Sequence, residues 1–460
     1  MLVPVQFYKA EKYALDMVVL PEETKKFFLQ NFGCSRKVYN LYVDYLYGEL
    51  EKAGYESGDD IPEVKLPEVT AFKAKYAFLK KADSLGLANA KMDFQDALKR
   101  FRNDFDHKTY TKLAIRRDKS KTEALSFRGL KGMPKFHAKA KGYFSYTTNC
   151  QYPDGKNNLV QPTIRLEKDT LYLPKLKQGV KLVIHRHLPE SARIGNVTLS
   201  MDECGVIYAS IEYSYTIQME TSLREAAKKG DTSVLDRLTF LGLDYSQSDF
   251  YVDSEGRKAN YPHWYLKSEE KLAKLQRRLS RMQKSSKNYE KALVRIRKLH
   301  IKIKNQRRDF LQKRSTELVR QYDVIVVEDI NLRAMGESLS LGKNLHDNGF
   351  GMFRNMLSYK LEQKGSVLVK VAWNYPSTKT CHNCGFVNPE VTLGLTEWDC
   401  SECGTHHLRD VNAAQNIEAE GRRIFLDYFR EWLDEKAKAE ERAQKLRDGR
   451  KNKNKAAHAA

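Results

Sequence analysis

Phe240-Leu241-Gly242-Leu243-Asp244 is a short apolar run that ends on an acid. Tyr322-Asp323-Val324-Ile325-Val326-Val327-Glu328-Asp329 repeats the design. Such runs, rich in branched apolar residues, read as buried strands. From Phe240 onward these strand signals alternate with helical patterns, which predicts an α/β domain. In sheets of this kind, polar groups at the carboxyl ends of strands are where function collects. Asp244 and Glu328 are therefore candidate site residues. Asp329 sits next to Glu328, and strand alternation sends it to the opposite face. A third acid opens Arg409-Asp410-Val411-Asn412-Ala413-Ala414, a small-residue helix whose first turn would bring Asp410 toward the sheet. Taken singly, an acid after a strand is more often a cap or turn residue. Taken together, three such carboxylates are the set that two-metal phosphodiester hydrolysis needs, with hard oxygen ligands around two Mg²⁺ ions roughly 3.5–4 Å apart.

Between the second and third acids lie Cys381-His382-Asn383-Cys384 and Cys400-Ser401-Glu402-Cys403. Two residues between cysteines let one turn present both sulfurs to a tetrahedral ion, and the separation of the pairs suits a four-thiolate zinc ribbon. Gly385 and Gly404 follow the pairs, where such turns need positive φ. Two redox pairs are the competing reading, disfavoured by the turn-formers around both. With four thiolates the Zn²⁺ would be structural, since no coordination position stays open. His382, His406 and His407 are spare, and read as surface or phosphate-contacting residues. Cys34, Cys150 and Cys204 are scattered and read as small buried apolar residues.

The chain has 460 residues, 80 Lys and Arg against 59 Asp and Glu, and a formal net charge of +21. Residues 271–320 alone hold 18 Lys and Arg against Glu290, Asp309 and Glu317. Leu272, Leu275, Leu279 and Met282 recur at helical steps, Lys284 to Asn288 reads as a turn, and Leu293, Ile296, Leu299 and Ile303 resume the stripe. This predicts a helical hairpin over 266–320 with one apolar seam and a basic outer face. A solvated coiled-coil face would alternate signs, and this one does not. Like charges one turn apart repel, so a polyanion partner is expected. Candidate contacts are Arg277, Arg278, Arg281, Arg295, Lys298, Lys302, Arg307 and Arg308. A second basic stretch, Lys112 to Lys141, leads into Tyr143-Phe144-Ser145-Tyr146-Thr147-Thr148, where rings could stack bases and hydroxyls could hold phosphates, or where a β segment buries its rings.

Elsewhere, Tyr13 to Leu20 carries a strand signal, Pro21-Glu22-Glu23 opens a helix, and residues 34–105 read as helical around a loop from Gly54 to Pro67. Residues 143–217 turn to short strands. Thr221 to Asp236 reads as a polar connector. An amphipathic helix through Trp432 leads to a charged tail from Asp434, expected to be loosely ordered. The sequence shows no apolar run of 18 residues and no charged-then-apolar leader, so membrane spans and secretion are not expected, and a cytoplasmic, prokaryotic setting is. Seven cysteines at low density do not suggest a disulfide scaffold.

In order, Gly-Leu-Asp-Tyr-Ser (242–246), the basic hairpin, Val-Val-Glu-Asp-Ile-Asn (326–331), Pro-Ser-Thr-Lys-Thr-Cys-His-Asn-Cys-Gly (376–385), Cys-Ser-Glu-Cys-Gly (400–404) and Arg-Asp-Val-Asn-Ala-Ala (409–414) resemble the TnpB family. These are transposon-encoded, RNA-guided nucleases related to compact type V CRISPR effectors. Asn31 to Asn40 resembles the family's opening helix, and Gly132 to Phe136, Ser145 to Thr148 and Leu173 to Leu176 its wedge strands. The resemblance implies an α+β and α/β multidomain protein. A wedge β-barrel (1–33 and 131–236) would be interrupted by a helical recognition domain (34–130). A RuvC-type, RNase H-like nuclease domain (237–378 and 406–433) would carry the zinc ribbon (379–405), followed by the tail (434–460). It implies Asp244, Glu328 and Asp410 as catalytic ligands of two Mg²⁺ ions, and Cys381, Cys384, Cys400 and Cys403 as ligands of one Zn²⁺. Partners would be guide RNA, the target DNA duplex, their heteroduplex and the displaced single strand. Lys91 and Gln95 would lie near a short target-adjacent DNA motif, with Tyr146, Thr148 and Arg409 as further contacts. Two departures stand out: Ser246 where a Gly is common, and Leu408 where the last motif often begins with Asp. The competing readings are an RNA-guided DNA-binding regulator without nuclease activity, a plain zinc-ribbon DNA-binding protein and a strand-exchange transposase.

Overall fold

The computed structural model describes residues 3–55, 62–106, 128, 132–139, 142–154, 157, 159–219, 222–284, 286–330, 349–392 and 394–458. Most of the basic stretch 112–141, part of the 54–67 loop, Ser285 of the hairpin turn and Asn331 lie outside them. The chain divides into two compact units, residues 6–216 and residues 217–460 together with 1–5.

The first unit comprises β1 (Val3–Leu15), α1 (Glu22–Lys52), α2 (Val69–Lys75), α3 (Ser84–Asp106) and strands β2 (Ser145–Asn149), β3 (Arg165–Glu167), β4 (Thr170–Tyr172), β5 (Val180–Val183), β6 (Arg193–Met201) and β7 (Ile207–Met219). The sheet order is β2-β6-β7-β1-β5-β4-β3. In the hydrogen-bond order β2 and β3 are edges, so the expected barrel is a curled sheet. Its inward residues, from Tyr146 on β2 to Leu171 on β4, share one core with Phe28 and Phe32 of α1. β1 starts ten residues before the predicted strand and stops at Leu15, where Asp16 Oδ1 accepts the Val18 N–H and turns the chain. α1 runs unbroken through positions 33 and 34, where the helical recognition domain was expected to begin. Its apolar stripe (Val38, Tyr42, Leu46, Leu50) meets Leu87, Phe94, Leu98 and Phe101 in a second core.

In the second unit, residues 223–229 form a helix, α4 (Leu223–Lys229), where a polar connector was expected. Ser222 caps it by accepting the Glu225 N–H, and Gly230 ends it in the left-handed conformation. Then come β8 (Phe240–Ser246), β9 (Phe250–Asp253), α5 (Trp264–Ser280), α6 (Lys287–Gln321), β10 (Val324–Glu328), α7 (Phe350–Lys364), β11 (Val367–Val371), the ribbon strands β12 (Glu397–Asp399) and β13 (His406–Leu408), and α8 (Arg409–His458). The sheet order is β11-β10-β8-β9, with β11, β10 and β8 parallel and β9 antiparallel at the edge.

Alternation divides this sheet's side chains between two layers. Leu241, Leu243, Ile325 and Val327 pack against α7 and the second half of α6. Phe240, Val324, Val326 and Val369 pack against α8 and α4 through Ile417, Phe425, Phe429 and Ala227. Two glycines let α8 come this close. A Cβ on Gly242 would lie 2.1 Å from the Ala414 carbonyl oxygen, and one on Gly421 would lie 2.3 Å from a Val326 methyl. α8 continues to His458, past the point where a loose tail was expected. From Glu435 the sequence is dominated by Ala, Glu, Lys, Arg and Gln, strong helix formers that extend an existing helix without a new nucleus.

Candidate active site and metal centre

β8 and β10 pair in parallel with Val327 opposite Leu243. One step further along each strand stand Asp244 and Glu328, at the carboxyl edge. Their parity is that of Gly242 and Val326, so both face the α8 layer. Asp410 is in the first turn of α8. Three acids separated by up to 166 positions thus meet on one face of one sheet edge. Asp244 and Asp410 line a cleft of about 470 Å³ together with Arg409, His263, Thr378 and the Ser246–Ser248 turn.

The electrostatics agree with the geometry. Burial raises the Asp244 carboxyl well above the ordinary carboxylate range, and the negative charges of Glu328 and Asp410 push it the same way. Arg409 opposes this weakly. Its guanidinium donates two hydrogen bonds to Asp410 Oδ1, at 2.9 and 2.7 Å. Burial also raises Glu328, against the hydrogen bond that Ser377 Oγ donates to Glu328 Oε1 at 2.7 Å. Glu328 is absent from the cleft lining but lies close enough to act on Asp244. The three carboxylates, with Arg409 on Asp410, leave a surplus of negative charge at this sheet edge. That surplus and the all-oxygen donor set suit hard divalent cations such as Mg²⁺. Asp329 points away, as alternation predicts, and pairs with Arg354 and Lys370 at 3.3 Å each.

The two departures have local reasons. Ser246 ends β8, where its hydroxyl accepts the Asp249 N–H at 3.2 Å and closes the turn into β9. Leu408 is exposed on β13, paired opposite Glu397, and is absent from the cleft lining.

The sulfurs of Cys381, Cys384, Cys400 and Cys403 lie within 4.8 Å of one another. The Cys381–Cys403 and Cys384–Cys400 distances are both 3.6 Å. Tetrahedral zinc with bonds of about 2.3 Å puts its sulfurs roughly 3.8 Å apart, so the cluster could hold one zinc ion. Gly385 and Gly404 have φ of 79° and 68°, as the knuckle turns require. Hydrogen bonding from Thr405 and Asn383 brings the Cys403 thiol down to about 5, whereas burial raises Cys381 and, against the Phe386 N–H, burial and the neighbouring sulfurs raise Cys384 to about 12. Sequence reasoning placed His407 at the surface, but it is buried. Its Nε2 lies 3.0 Å from Cys381 Sγ and its ring packs on Trp398, because β12–β13 pairing turns alternate residues inward.

The ribbon is tied to α8 by two buried amides absent from the predicted site residues. Asn412 Oδ1 accepts the His382 N–H at 2.9 Å and its Nδ2 donates to Thr380 O at 2.7 Å. Asn416, one turn on, donates to Ser377 O at 2.8 Å and Thr380 O at 2.6 Å. Their spacing of four on a helix that starts at Arg409 is the only sequence signal that could have found them.

The basic hairpin forms as expected. Leu272, Ile296 and Ile303 make the seam between α5 and α6, with Leu275, Leu279 and Leu299 beside them. Arg277, Arg278, Arg281, Arg295, Lys298, Lys302 and Arg308 are exposed, and Arg307 is half-buried. On α3, Gln95 is exposed, while Lys91 pairs with Glu68 at 2.7 Å. Tyr146 and Thr148 do not fit the expected DNA contacts. They are 4% and 0% exposed, since β2 turns these two positions into the core.

Residues 214–339 match a family model described as OrfB_IS605, "Probable transposase", and residues 350–417 match the Cas12f1-like TNB domain. The chain is 30% identical to a "Putative RNA-guided DNA endonuclease" of Streptomyces pristinaespiralis over 85% of each chain. It is 29% identical to the "Putative RNA-guided DNA endonuclease InsQ" of Escherichia coli over 56% of this chain and 63% of that protein. Among solved structures, a Cas12f1–guide RNA–target DNA complex aligns with a TM-score of 0.46 at 14% identity, covering 87% of this chain and 83% of that one. A Cas_phi3 endonuclease aligns with a TM-score of 0.44 at 10% identity, covering 91% and 92%. The chain belongs to the TnpB family of transposon-encoded RNA-guided nucleases, relatives of the type V CRISPR effectors. Among the described residues, no helix is long and apolar enough to cross a membrane.

Proposed function

We propose that this chain is an RNA-guided DNA endonuclease of RuvC type, with Asp244, Glu328 and Asp410 as its catalytic carboxylates. The observation that carries the reading is their convergence, from β8, β10 and α8, on one face of one sheet edge. The relatives named RNA-guided DNA endonucleases support the substrate class. Two Mg²⁺ ions bound by the three acids would activate the attacking water and stabilise the leaving 3′ oxygen. The chain's own part is placement. Asp244 and Glu328 sit on rigid strands, and Asp410 is carried by a helix locked to the same sheet. Arg409 neutralises part of the charge and offers a guanidinium to a phosphate. The serines of the 246–248 turn line the cleft where a DNA backbone would lie.

Sequence would be read by base pairing between guide RNA and target strand, with the protein binding backbone and shape. The exposed basic face of α5 and α6 fits guide RNA or heteroduplex phosphates. Gln95, and Lys91 by exchanging Glu68 for a phosphate, would serve the adjacent-motif contact. The zinc would be structural. A regulator without nuclease activity would be marked by an incomplete acid set, and the set here is complete.

The test is cleavage by the chain purified with the RNA it retains when expressed from its own locus, on a plasmid matching that RNA. Asp244→Ala should abolish Mg²⁺-dependent cutting and leave RNA binding intact. Retained cutting would overturn the assignment.

A further inference from the structure

Glu328 differs from the other two acids in how it is held. Asp410 is fixed by Arg409, its own neighbour, whereas Glu328 is the last residue of β10 and takes its hydrogen bond from Ser377, 49 positions later. Ser377 is 3% exposed. It stands just before the zinc knuckle, in the segment Pro376-Ser377-Thr378-Lys379-Thr380 that leads into Cys381. Asn416 holds this segment's backbone at Ser377 O and Thr380 O, and Asn412 holds it at Thr380 O and the His382 N–H. Both amides are nearly fully buried, at 3% and 1% exposed, and both belong to the helix that carries Asp410.

We propose that Ser377 is a positioning residue for Glu328, and that Asn412 and Asn416 make its placement depend on the zinc ribbon and on α8. This rests on the nuclease reading above. A glutamate at a strand end has three side-chain torsions, and a hydroxyl donor on one oxygen selects the rotamer that leaves the other oxygen free for a metal. The donor must not move. Ser377 has its backbone clamped by Asn416, and Asn416 cannot shift without moving the first turns of α8. The knuckle enters through the His382 N–H, so the fold around the four sulfurs is transmitted to Glu328 through two asparagines and one serine. Loss of the ribbon would therefore disturb the middle carboxylate as well as the last one.

The test uses the full chain with its co-purified RNA, and compares Ser377→Ala, Ser377→Thr, Asn416→Ala and Asp244→Ala. Three readouts are taken: cleavage against Mg²⁺ concentration, binding of Mn²⁺ as a probe by electron paramagnetic resonance, and thermal melting. Removing one outer-shell partner of a metal ligand typically costs about 10–100-fold in affinity or activity. Ser377→Ala should raise the Mg²⁺ needed for half-maximal cleavage and weaken Mn²⁺ binding by about tenfold or more. Its melting temperature should stay close to the parent's, and Ser377→Thr, which keeps the hydroxyl, should restore both metal readouts. Asn416→Ala should shift the same midpoints. Parent-like Mg²⁺ and Mn²⁺ midpoints in Ser377→Ala, with Asp244→Ala inactive, would overturn the positioning role. Cutting retained by Asp244→Ala would instead overturn the nuclease reading.

Discussion

Substituting Gly242 by Ala tests whether the approach of α8 to the sheet sets the proposed active site. The added methyl would meet the Ala414 carbonyl oxygen at 2.1 Å and the Glu418 backbone nitrogen at 2.8 Å. Carbon–oxygen contacts settle at about 3.3 Å or more, so helix and strand must part by roughly 1 Å. Neither obstacle is a flexible side chain, and both belong to the helix whose first turn carries Asp410. Overpacking of this kind costs about 1–3 kcal/mol, a fall in melting temperature of roughly 2–12 °C for a unit of this size. A displacement near 1 Å at a reacting centre costs on the order of 10²-fold in rate. We therefore expect Gly242→Ala to lower both melting temperature and Mg²⁺-dependent cleavage, with RNA retention unchanged. Gly33→Ala in α1 is the control. A methyl there meets nothing within 4 Å, and exchanging a mid-helix glycine for alanine should stabilise by up to about 1 kcal/mol. The two variants are compared by calorimetric melting and a single-turnover cleavage assay. If Gly242→Ala melts and cuts like the parent, the close packing of α8 on β8 is not what holds Asp410 in place.

The raised carboxyls predict a pH dependence with a definite sign. Asp244 and Glu328 bind protons more readily folded than unfolded, so the metal-free chain should lose stability as pH rises from about 4 through their raised values. Mg²⁺ should accordingly raise the melting temperature more at pH 8 than at pH 5, and Asp244→Asn should shrink that difference; an equal Mg²⁺ effect at both pH values would contradict it. Elemental analysis should find one zinc per chain, lost on mutating Cys400 and Cys403 together to Ser, and a double variant that keeps its zinc would refute the four-thiolate site. Replacing Arg295, Lys298 and Lys302 by Gln should weaken RNA retention and flatten its dependence on salt, by up to about 0.7–0.9 in logarithmic slope for each phosphate no longer neutralised. An unchanged slope would remove the hairpin from the RNA-binding surface.

The legible parts of this protein were those with a short physical range. A CxxC knuckle is a local turn, and its spacing alone turns both sulfurs to one side. The hairpin declares itself through a seam of period near 3.6 with like charge outside it. The parallel strands show as branched apolar runs, and their acids stand out because a charge at the end of such a run needs a reason. Where the sequence misled, parity or a distant partner decided. Tyr146 and Thr148 are polar enough to face DNA, yet the curl of their sheet turns those alternate positions inward. His407 likewise faces the sulfurs because of how β13 pairs with β12. α4 was hidden among polar residues, although Ser222, Glu225 and Gly230 mark its ends.

By itself the amino-acid order determined the parallel strands and the hairpin helices, the four-cysteine cluster, the basic face and, through the ordered motifs, the family. It could do so because hydrogen-bond periodicity, ligand spacing and charge density act between near neighbours. Tertiary structure alone decided that Asp244, Glu328 and Asp410 share one face. It also decided that Gly242 and Gly421 admit α8 to that face, and that Asn412, Asn416 and Ser377 connect the ribbon to Glu328. These depend on strand register and on the distance between a helix and a sheet, quantities set by packing between segments far apart in the chain.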